Sequence, residues 1–253
     1  MVQITFLGTG TSTGVPQIGC TCPVCTSSDP RDNRLRTSAM ISVDGKNILI
    51  DCGPDFRQQM LRAHLSRIDA VLITHIHYDH TGGIDDLRPF GESGTLPIYL
   101  ESSVAEGIRT RLPYCFAQHR YPGVPNISLQ EIGTTPFSIA GTEVIPIRVM
   151  HYKLPILGYR IGRLVYITDA LTIPDEEYDK MKDVDVLVIN ALRKQPHLSH
   201  QTLDDALQVI ERVGPRVAYL VHMSHHMGVA AEVEKCLPPH VHFAYDGLTV
   251  NSL

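Results

Sequence analysis

Thr74-His75-Ile76-His77-Tyr78-Asp79-His80 follows directly on the apolar run 69–73, DAVLI. A strand that ends in this way delivers polar side chains to one edge of a sheet. His75 and His77 are two apart and project the same way from an extended or turning backbone, while Asp79 and His80 leave the turn that follows. Four ligand-type side chains within six residues can serve two adjacent ions, His75 and His77 on one, Asp79 and His80 on the other. The plain alternative is a solvated polar loop. An apolar strand running straight into three imidazoles and a carboxylate argues against it.

Working outward, the runs 3–7, 39–43, 47–51 and 69–73 are short and rich in Ile, Val and Leu, with turn residues between them. Asp44-Gly45 predicts a hairpin between the second and third. Residues 55–65 carry Phe56, Met60, Leu61 and Leu65 at helical spacing, so 47–73 reads as strand, helix, strand. In the second half, 143–149, 156–161, 163–168, 184–190, 216–221 and 241–245 read as strands, and 175–182, 202–213 and 228–236 as helices. Leu203, Ala206, Leu207, Ile210 and Val213 make one apolar stripe, with Thr202 and Asp205 placed to cap its start. No Pro- or Gly-rich linker divides the halves. The expectation is one domain over 1–253, with two sheets face to face and helices outside. Residues 111–126 fit poorly. They hold three prolines together with Tyr114, Phe116, His119 and Tyr121, and read either as a packed surface excursion or as a cover over substrate.

Composition narrows the function classes. The chain has 253 residues, 43% hydrophobic against 19% charged, which excludes a disordered chain. It has no run of ~18 apolar residues, so no membrane-spanning helix is expected. The N-terminus, MVQITFLGTG, lacks the pattern of a secretory signal, and a cytoplasmic location follows as the expectation. A net charge of -5 argues against nucleic acid as partner. Of 13 histidines, eight fall in the windows 75–80, 197–200 and 222–226. Of six cysteines, three fall within 20–25. In a reducing compartment such grouping points to metal rather than to disulfides. Cys20, Cys22 and Cys25 supply three thiolates, and a closed structural zinc needs a fourth ligand. His225 is the best candidate and His226 the fallback. A redox dithiol would explain Cys22 and Cys25 but leaves Cys20 over.

HIHYDH at 75–80 is the motif on which the chain resembles the metallo-β-lactamase superfamily of hydrolases. The resemblance implies an αββα sandwich, two mixed sheets with helices on the outer faces. It also implies further ligands at His151, Asp169 and His222, each at the tip of an apolar run. His75, His77 and His151 would then hold one divalent ion, Asp79, His80 and His222 the other, with Asp169 between them. Zn²⁺, Mn²⁺ and Fe all accept such ligands. Asp51 in LIDCG resembles the superfamily's carboxylate that braces the ligand loop. Two cations ~3.5 to 4 Å apart share a hydroxide and hold the oxygens of a phosphoryl or carbonyl group.

LGTGTSTGVPQIGCTCPVC, HMSH at 222–225 and DGLTV at 246–250 narrow the resemblance to the phosphoribosyl cyclic phosphodiesterases of carbon-phosphorus lyase pathways. That implies a Cys₃His structural zinc beside a two-metal site, and His200 assisting catalysis alongside the ligand Asp79. The expected activity is metal-dependent hydrolysis of a small phosphodiester, possessing a cyclic ribose in the family, through a metal-bridging hydroxide. A tRNA 3′-processing nuclease shares LGTG and the pair Ser38-Ala39, but no Lys- or Arg-rich insert is present. A β-lactam or thioester hydrolase is open on fold grounds. A non-catalytic cofactor-biosynthesis or binding protein on this scaffold is expected to have lost ligands, and this chain keeps all seven. Self-association as a homodimer is left open by the sequence.

Overall fold

The computed structural model describes residues 1–91, 94–119 and 121–252. Two seven-stranded sheets form the molecule. The first contains β1 (Val2–Gly8), β2 (Ser38–Val43), β3 (Lys46–Ile50), β4 (Ala70–Leu72), β5 (Leu96–Leu100), β6 (Ile127–Glu131) and β14 (Thr249–Asn251), in the order β14-β1-β2-β3-β4-β5-β6. The second contains β7 (Phe137–Ile139), β8 (Thr142–His151), β9 (Leu154–Ile161), β10 (Leu164–Tyr166), β11 (Val186–Asn190), β12 (Val217–Val221) and β13 (Val241–Phe243), in the order β13-β12-β11-β10-β9-β8-β7. Each sheet has three antiparallel pairings followed by three parallel ones. The two halves therefore repeat a topology, although no sequence repeat announces it.

Alternation along the strands builds three apolar layers. In β3, Ile48 and Ile50 face the second sheet while Leu49 faces outward to helices. In β11, Val186 and Val188 face the first sheet while Leu187 and Ile189 face outward. Helices α1 (Phe56–Ala63) and α3 (Ser102–Arg111) cover the first sheet through Phe56, Met60, Val104, Ala105 and Ile108, and between them the one-turn α2 (Tyr78–Thr81) carries Asp79 and His80. Helix α4 (Leu203–Val213) covers the second through Leu203, Ala206, Val209 and Ile210. This is the αββα arrangement read from the sequence.

Local chemistry fixes the elements. Asp44 and Gly45 both take positive φ, the geometry a two-residue hairpin demands, and Val43 pairs with Lys46. Thr202 and Asp205 form a complete capping box on α4, worth about 1 kcal/mol. Two expected helices are shorter or tighter than the periodicity suggests. Residues 175–182 form a 3₁₀ helix, Asp175–Met181, and 228–236 divides into α5 (Ala230–Val233) and a 3₁₀ turn, Glu234–Cys236. Gly228 at φ 106 delays the start, and Pro238-Pro239 prevents extension. Among the described residues no helix is long and apolar enough to cross a membrane.

The segment 111–126 packs on the flank of the ligand turn in its first half. A 3₁₀ turn, Pro113–Cys115, buries Cys115, Tyr114 Oη donates to Asp85 at 2.8 Å, and Arg111 donates to Thr81 Oγ1 at 2.6 Å. Packing accounts for this half without a covering role. Arg120 lies outside the described residues.

Candidate metal centre

Strand ends bring the histidines together. The parallel strands β3, β4, β10, β11 and β12 finish at one edge of the sandwich, the general place for sites in open α/β sheets. Asp51 follows β3, His75 and His77 follow β4, Asp169 follows β10 and His222 follows β12, while His151 is the last residue of β8. Asp51, Asp169 and His222 all have positive φ, at 61°, 57° and 57°. Left-handed backbone costs energy for a residue with a side chain and persists where the surroundings over-determine it.

Hydrogen bonds hold this edge in place. Leu157 N–H donates to Thr74 O at 3.1 Å and Tyr159 Oη to Ile73 O at 2.6 Å, so the second sheet docks on the ligand-bearing turn of the first. Ser38 Oγ donates to the carbonyls of Ile50 and Asp51. Asn190 takes both backbone groups of Ala170, fixing the residue after Asp169. Gly10 bridges Arg36 and Met223, and Asp246 of DGLTV accepts from Thr9 Oγ1 and Leu35 N–H, so both chain ends brace the loop beside His222. Gly53 cannot be replaced cheaply: a Cβ there would lie 2.1 Å from the Asp79 carbonyl oxygen.

Two sets of ligand atoms lie side by side. His75, His77 and His151 form one, Asp79, His80, Asp169 and His222 the other, with the atoms of each set within 4.8 Å of one another. His75 Nε2 and His77 Nδ1 are 3.0 Å apart, against roughly 3.0 to 3.4 Å for two imidazole nitrogens on one ion at about 2.1 Å each. Outer partners orient the rings. Asp51 accepts from Thr74 N–H at 2.8 Å and Thr74 Oγ1 at 2.9 Å and pairs with His80 Nδ1 at 2.7 Å. That leaves His80 Nε2 facing Asp79 Oδ2 and Asp169 Oδ2, both at 3.2 Å. His151 Nδ1 donates to Ser199 O at 2.9 Å, which frees its other nitrogen for the site. Asp51 thus occupies the bracing position expected of it.

The donor set fits divalent cations on its own chemistry. His80 Nε2 and His222 Nε2 are buried without a hydrogen-bond partner, a costly state that coordination would relieve. Burial lowers His75 well below the usual imidazole range, and lowers His77 and His222 as well, so these rings are neutral, as ligation requires. Burial pushes Asp169 up, but His222 and His80 outweigh it and hold the carboxyl well below its usual range. Asp79 is lowered in the same way, burial being outweighed first by His80. His80 is the exception: burial lowers it, yet Asp169, Asp51 and Asp79 together raise it well above the ordinary value. A cation held by His80 would take the place of that proton.

His200 lies at the same edge. Its ring packs 4.7 Å from His151 and 4.9 Å from His222, and its Nδ1, buried without a hydrogen-bond partner, is 3.7 Å from Asp169 Oδ1. Burial, followed by His222, lowers it to about 3.

A second cluster stands on the other side of the β12 exit. Cys20, Cys22, Cys25 and His225 place their ligand atoms within 4.8 Å of one another, and Cys20 Sγ and Cys22 Sγ are each 3.3 Å from His225 Nδ1. A tetrahedral zinc needs S···N separations of roughly 3.5 Å. His226 is exposed and outside the cluster, so the fallback is set aside. The backbone N–H of Cys25, then His225, draws the Cys22 thiol down to about 6, while burial raises Cys25 to about 11. Cys22→Ser is expected to lose one tightly held zinc per chain and lower the melting temperature, since structural zinc contributes directly to folding. Elemental analysis and thermal unfolding check this; a full zinc complement with an unchanged midpoint rejects the site.

Sequence reading had not singled out Thr74, Thr168, Asn190 or Ser199. Thr168 Oγ1 donates to Asp169 Oδ2 at 2.7 Å. Only adjacency to a candidate ligand marked Thr74, Thr168 and Ser199, and nothing marked Asn190.

A family model described as a beta-lactamase superfamily domain matches residues 46–223. The crystal structure of a new diphosphatase from the PhnP family superimposes with a TM-score of 0.94 at 37% identity, covering 100% of this chain and 98% of that one. Zn(2+)-bound PqqB from Methylobacterium extorquens superimposes with a TM-score of 0.81 at 18% identity over 98% of this chain and 99% of its own, a likeness of fold. An octanoyltransferase of Porphyromonas gingivalis is 49% identical over 246 residues, 96% of this chain and 50% of that protein. The chain spans about half the length of that relative.

Proposed function

We propose that the chain, which belongs to the beta-lactamase superfamily domain family, is a hydrolase of the metallo-β-lactamase type and, more narrowly, a metal-dependent phosphodiesterase acting on a small phosphodiester, of the cyclic ribose phosphate class. The observation that carries this reading is the pair of adjacent ligand sets with two buried, unpartnered imidazole nitrogens. His75, His77 and His151 would hold one divalent ion, Asp79, His80 and His222 the other, with Asp169 shared. When bound, the ions lower the pKa of coordinated water and neutralise charge on phosphoryl oxygens; zinc and manganese both suit the donors.

The protein's own groups do the rest. Asp51 orients His80 and the 74–80 turn, and Ser199 orients His151. His200, at the same edge, would give a proton to the departing oxygen. Burial, followed by His222, favours its neutral form, and a phosphate anion beside it would act in the opposite direction, favouring the charged form. Cys20, Cys22, Cys25 and His225 would hold a structural zinc that ties the N-terminal loop to the β12 exit. The reading takes residues 1–253 as one domain, supported by the pairing of Gln3 with Asn251 across β1 and β14.

A diphosphate ester is the second reading, favoured by the 37% identity to the PhnP-family diphosphatase. Both share a phosphoryl centre attacked by water and differ in the leaving group. Hydrolysis of bis(p-nitrophenyl) phosphate with added Mn²⁺ or Zn²⁺ is expected, with Asp79→Ala reducing it by about 10²-fold or more. Absence of metal-stimulated hydrolysis on both this ester and a panel of cyclic ribose phosphates and sugar diphosphates would end the proposal.

A further inference from the structure

Three imidazole rings lead from the buried ligands to solvent. His222 is buried, His200 packs 4.9 Å from it, and His197 packs 5.1 Å from His200. His197 is half-buried and belongs to neither ligand set. Its ring is nonetheless built into place. Ser199 N–H donates to His197 Nδ1 at 3.3 Å, and the carbonyl of the same Ser199 accepts from ligand His151. Arg193 closes the loop behind it, Nε donating to Gln195 O at 3.1 Å and NH2 to Pro196 O at 2.6 Å. Further ties run from Leu192 N–H to Gln201 O, Leu203 N–H to Arg193 O and Ser224 N–H to Leu192 O, each at 3.0 Å.

An Nδ1 that accepts a hydrogen bond places the proton of a neutral ring on Nε2. Burial, then Arg193, lowers the His197 pKa, consistent with that neutral form. His197 therefore presents an oriented Nε2–H, its hydrogen bonds among the described residues being made at Nδ1. On the phosphoryl-hydrolase reading, the phosphoryl group would sit against the buried ligands, two ring contacts further in. The part of the substrate within reach of His197 would then be its organic part.

We propose that His197 is a substrate-contacting residue, its Nε2–H donating to a sugar oxygen of the substrate and so selecting sugar phosphates over phosphate alone. The inference rests on the phosphoryl-hydrolase reading for the position of the phosphoryl group, and it is tested by binding so that it does not depend on turnover. The probes are ribose 5-phosphate and inorganic phosphate, titrated calorimetrically into metal-loaded protein. Two variants separate contact from scaffold. Asn at 197 can accept from the N–H two residues on, as Asx turns do, but has no donor at the Nε2 position. Ala loses both.

His197→Asn and His197→Ala are each expected to weaken ribose 5-phosphate about tenfold and to leave inorganic phosphate within twofold, with metal content unchanged. Wild-type-like binding of ribose 5-phosphate by the Asn variant overturns the proposal, because the ring then only holds Ser199. Equal weakening of both probes also overturns it, since the contact would then be to the phosphoryl group, as does a wild type that fails to prefer ribose 5-phosphate. Loss of hydrolysis with these affinities intact bears on the phosphodiesterase reading instead.

Discussion

Asp169→Ala is expected to cut hydrolysis of bis(p-nitrophenyl) phosphate by roughly 10³-fold or more and to remove at least one exchangeable ion per chain. The carboxylate is common to two ligand groupings, with Asp79, His80 and His222 and with His151 and His200. Its Oδ2 is 3.2 Å from His80 Nε2 and 3.1 Å from His222 Nδ1, and its Oδ1 faces His200. Like His151 it belongs to two groupings, and it is the one carboxylate among the described residues that does, so in the two-ion reading its charge would reduce the repulsion between the cations. Several kcal/mol of transition-state stabilisation would depend on such a pair, and each 1.36 kcal/mol is tenfold in rate. Asp169→Asn retains the volume and loses the charge, and should fall with the alanine variant. Elemental analysis after chelation and reconstitution gives the ion count, and the melting temperature of the chelated protein guards against misfolding. Two ions per chain with hydrolysis within tenfold of the parent would falsify the shared-carboxylate role.

What was legible in the sequence follows from which groups carry the information. HIHYDH after DAVLI is a side-chain message, and so are YITDA and YLVH: an apolar run ending in a ligand type tells where a strand stops. The three-layer order was legible for the same reason, because strands such as β3 and β11 are apolar on both faces and need cover on both. Elements whose local chemistry contradicts their tertiary role were missed. β5 contains Pro97, a residue that reads as a breaker, yet the strand pairs with both β4 and β6. β6 and β14 are sheet-edge strands with polar residues exposed, so neither shows an apolar run. Helix α3 has Gly107 in its interior, which lowers helix propensity. The structure supplies the reason: a Cβ at 107 would lie 2.7 Å from Ile76 Cδ1, in the ligand turn itself.

The geometry that turns candidate ligands into a site was not legible. Positive φ at Asp51, Asp169 and His222 is a backbone property imposed from outside, by Leu72 accepting from Asp51 N–H, Asn190 holding Ala170, and Thr9 and Thr11 flanking Met223. Those partners are remote in sequence. The Cys₃His cluster was easier, since three thiolates within six residues lack only one ligand and His225 stands one turn past a strand end. Of the two histidines, His225 lies with the cysteine loop while His226 is exposed.

The second large effect concerns His200. His200→Ala is expected to keep both ions while losing about 10²- to 10⁴-fold on an alkyl phosphodiester, the range typical of removing a positioned proton donor. On an ester with a p-nitrophenolate leaving group the loss should be far smaller, because that anion departs without help. The structure adds a constraint the sequence did not carry. Burial, then His222, lowers His200 to about 3, so without a further negative charge beside it the ring is neutral at ordinary pH and cannot serve as an acid. The donor must take up its proton with the anionic substrate, or deliver a hydrogen bond rather than a proton. These differ in pH dependence. A proton donor charged by substrate makes kcat on the alkyl ester fall as pH rises through the pKa of the complex, whereas a neutral hydrogen-bond donor leaves that limb flat. The ring is stacked on His222 at 21° and lies 4.7 Å from His151 and 5.1 Å from His197, so it has little freedom to turn away. Equal losses on both esters would assign His200 to phosphate binding, and no loss on either would remove it from the mechanism.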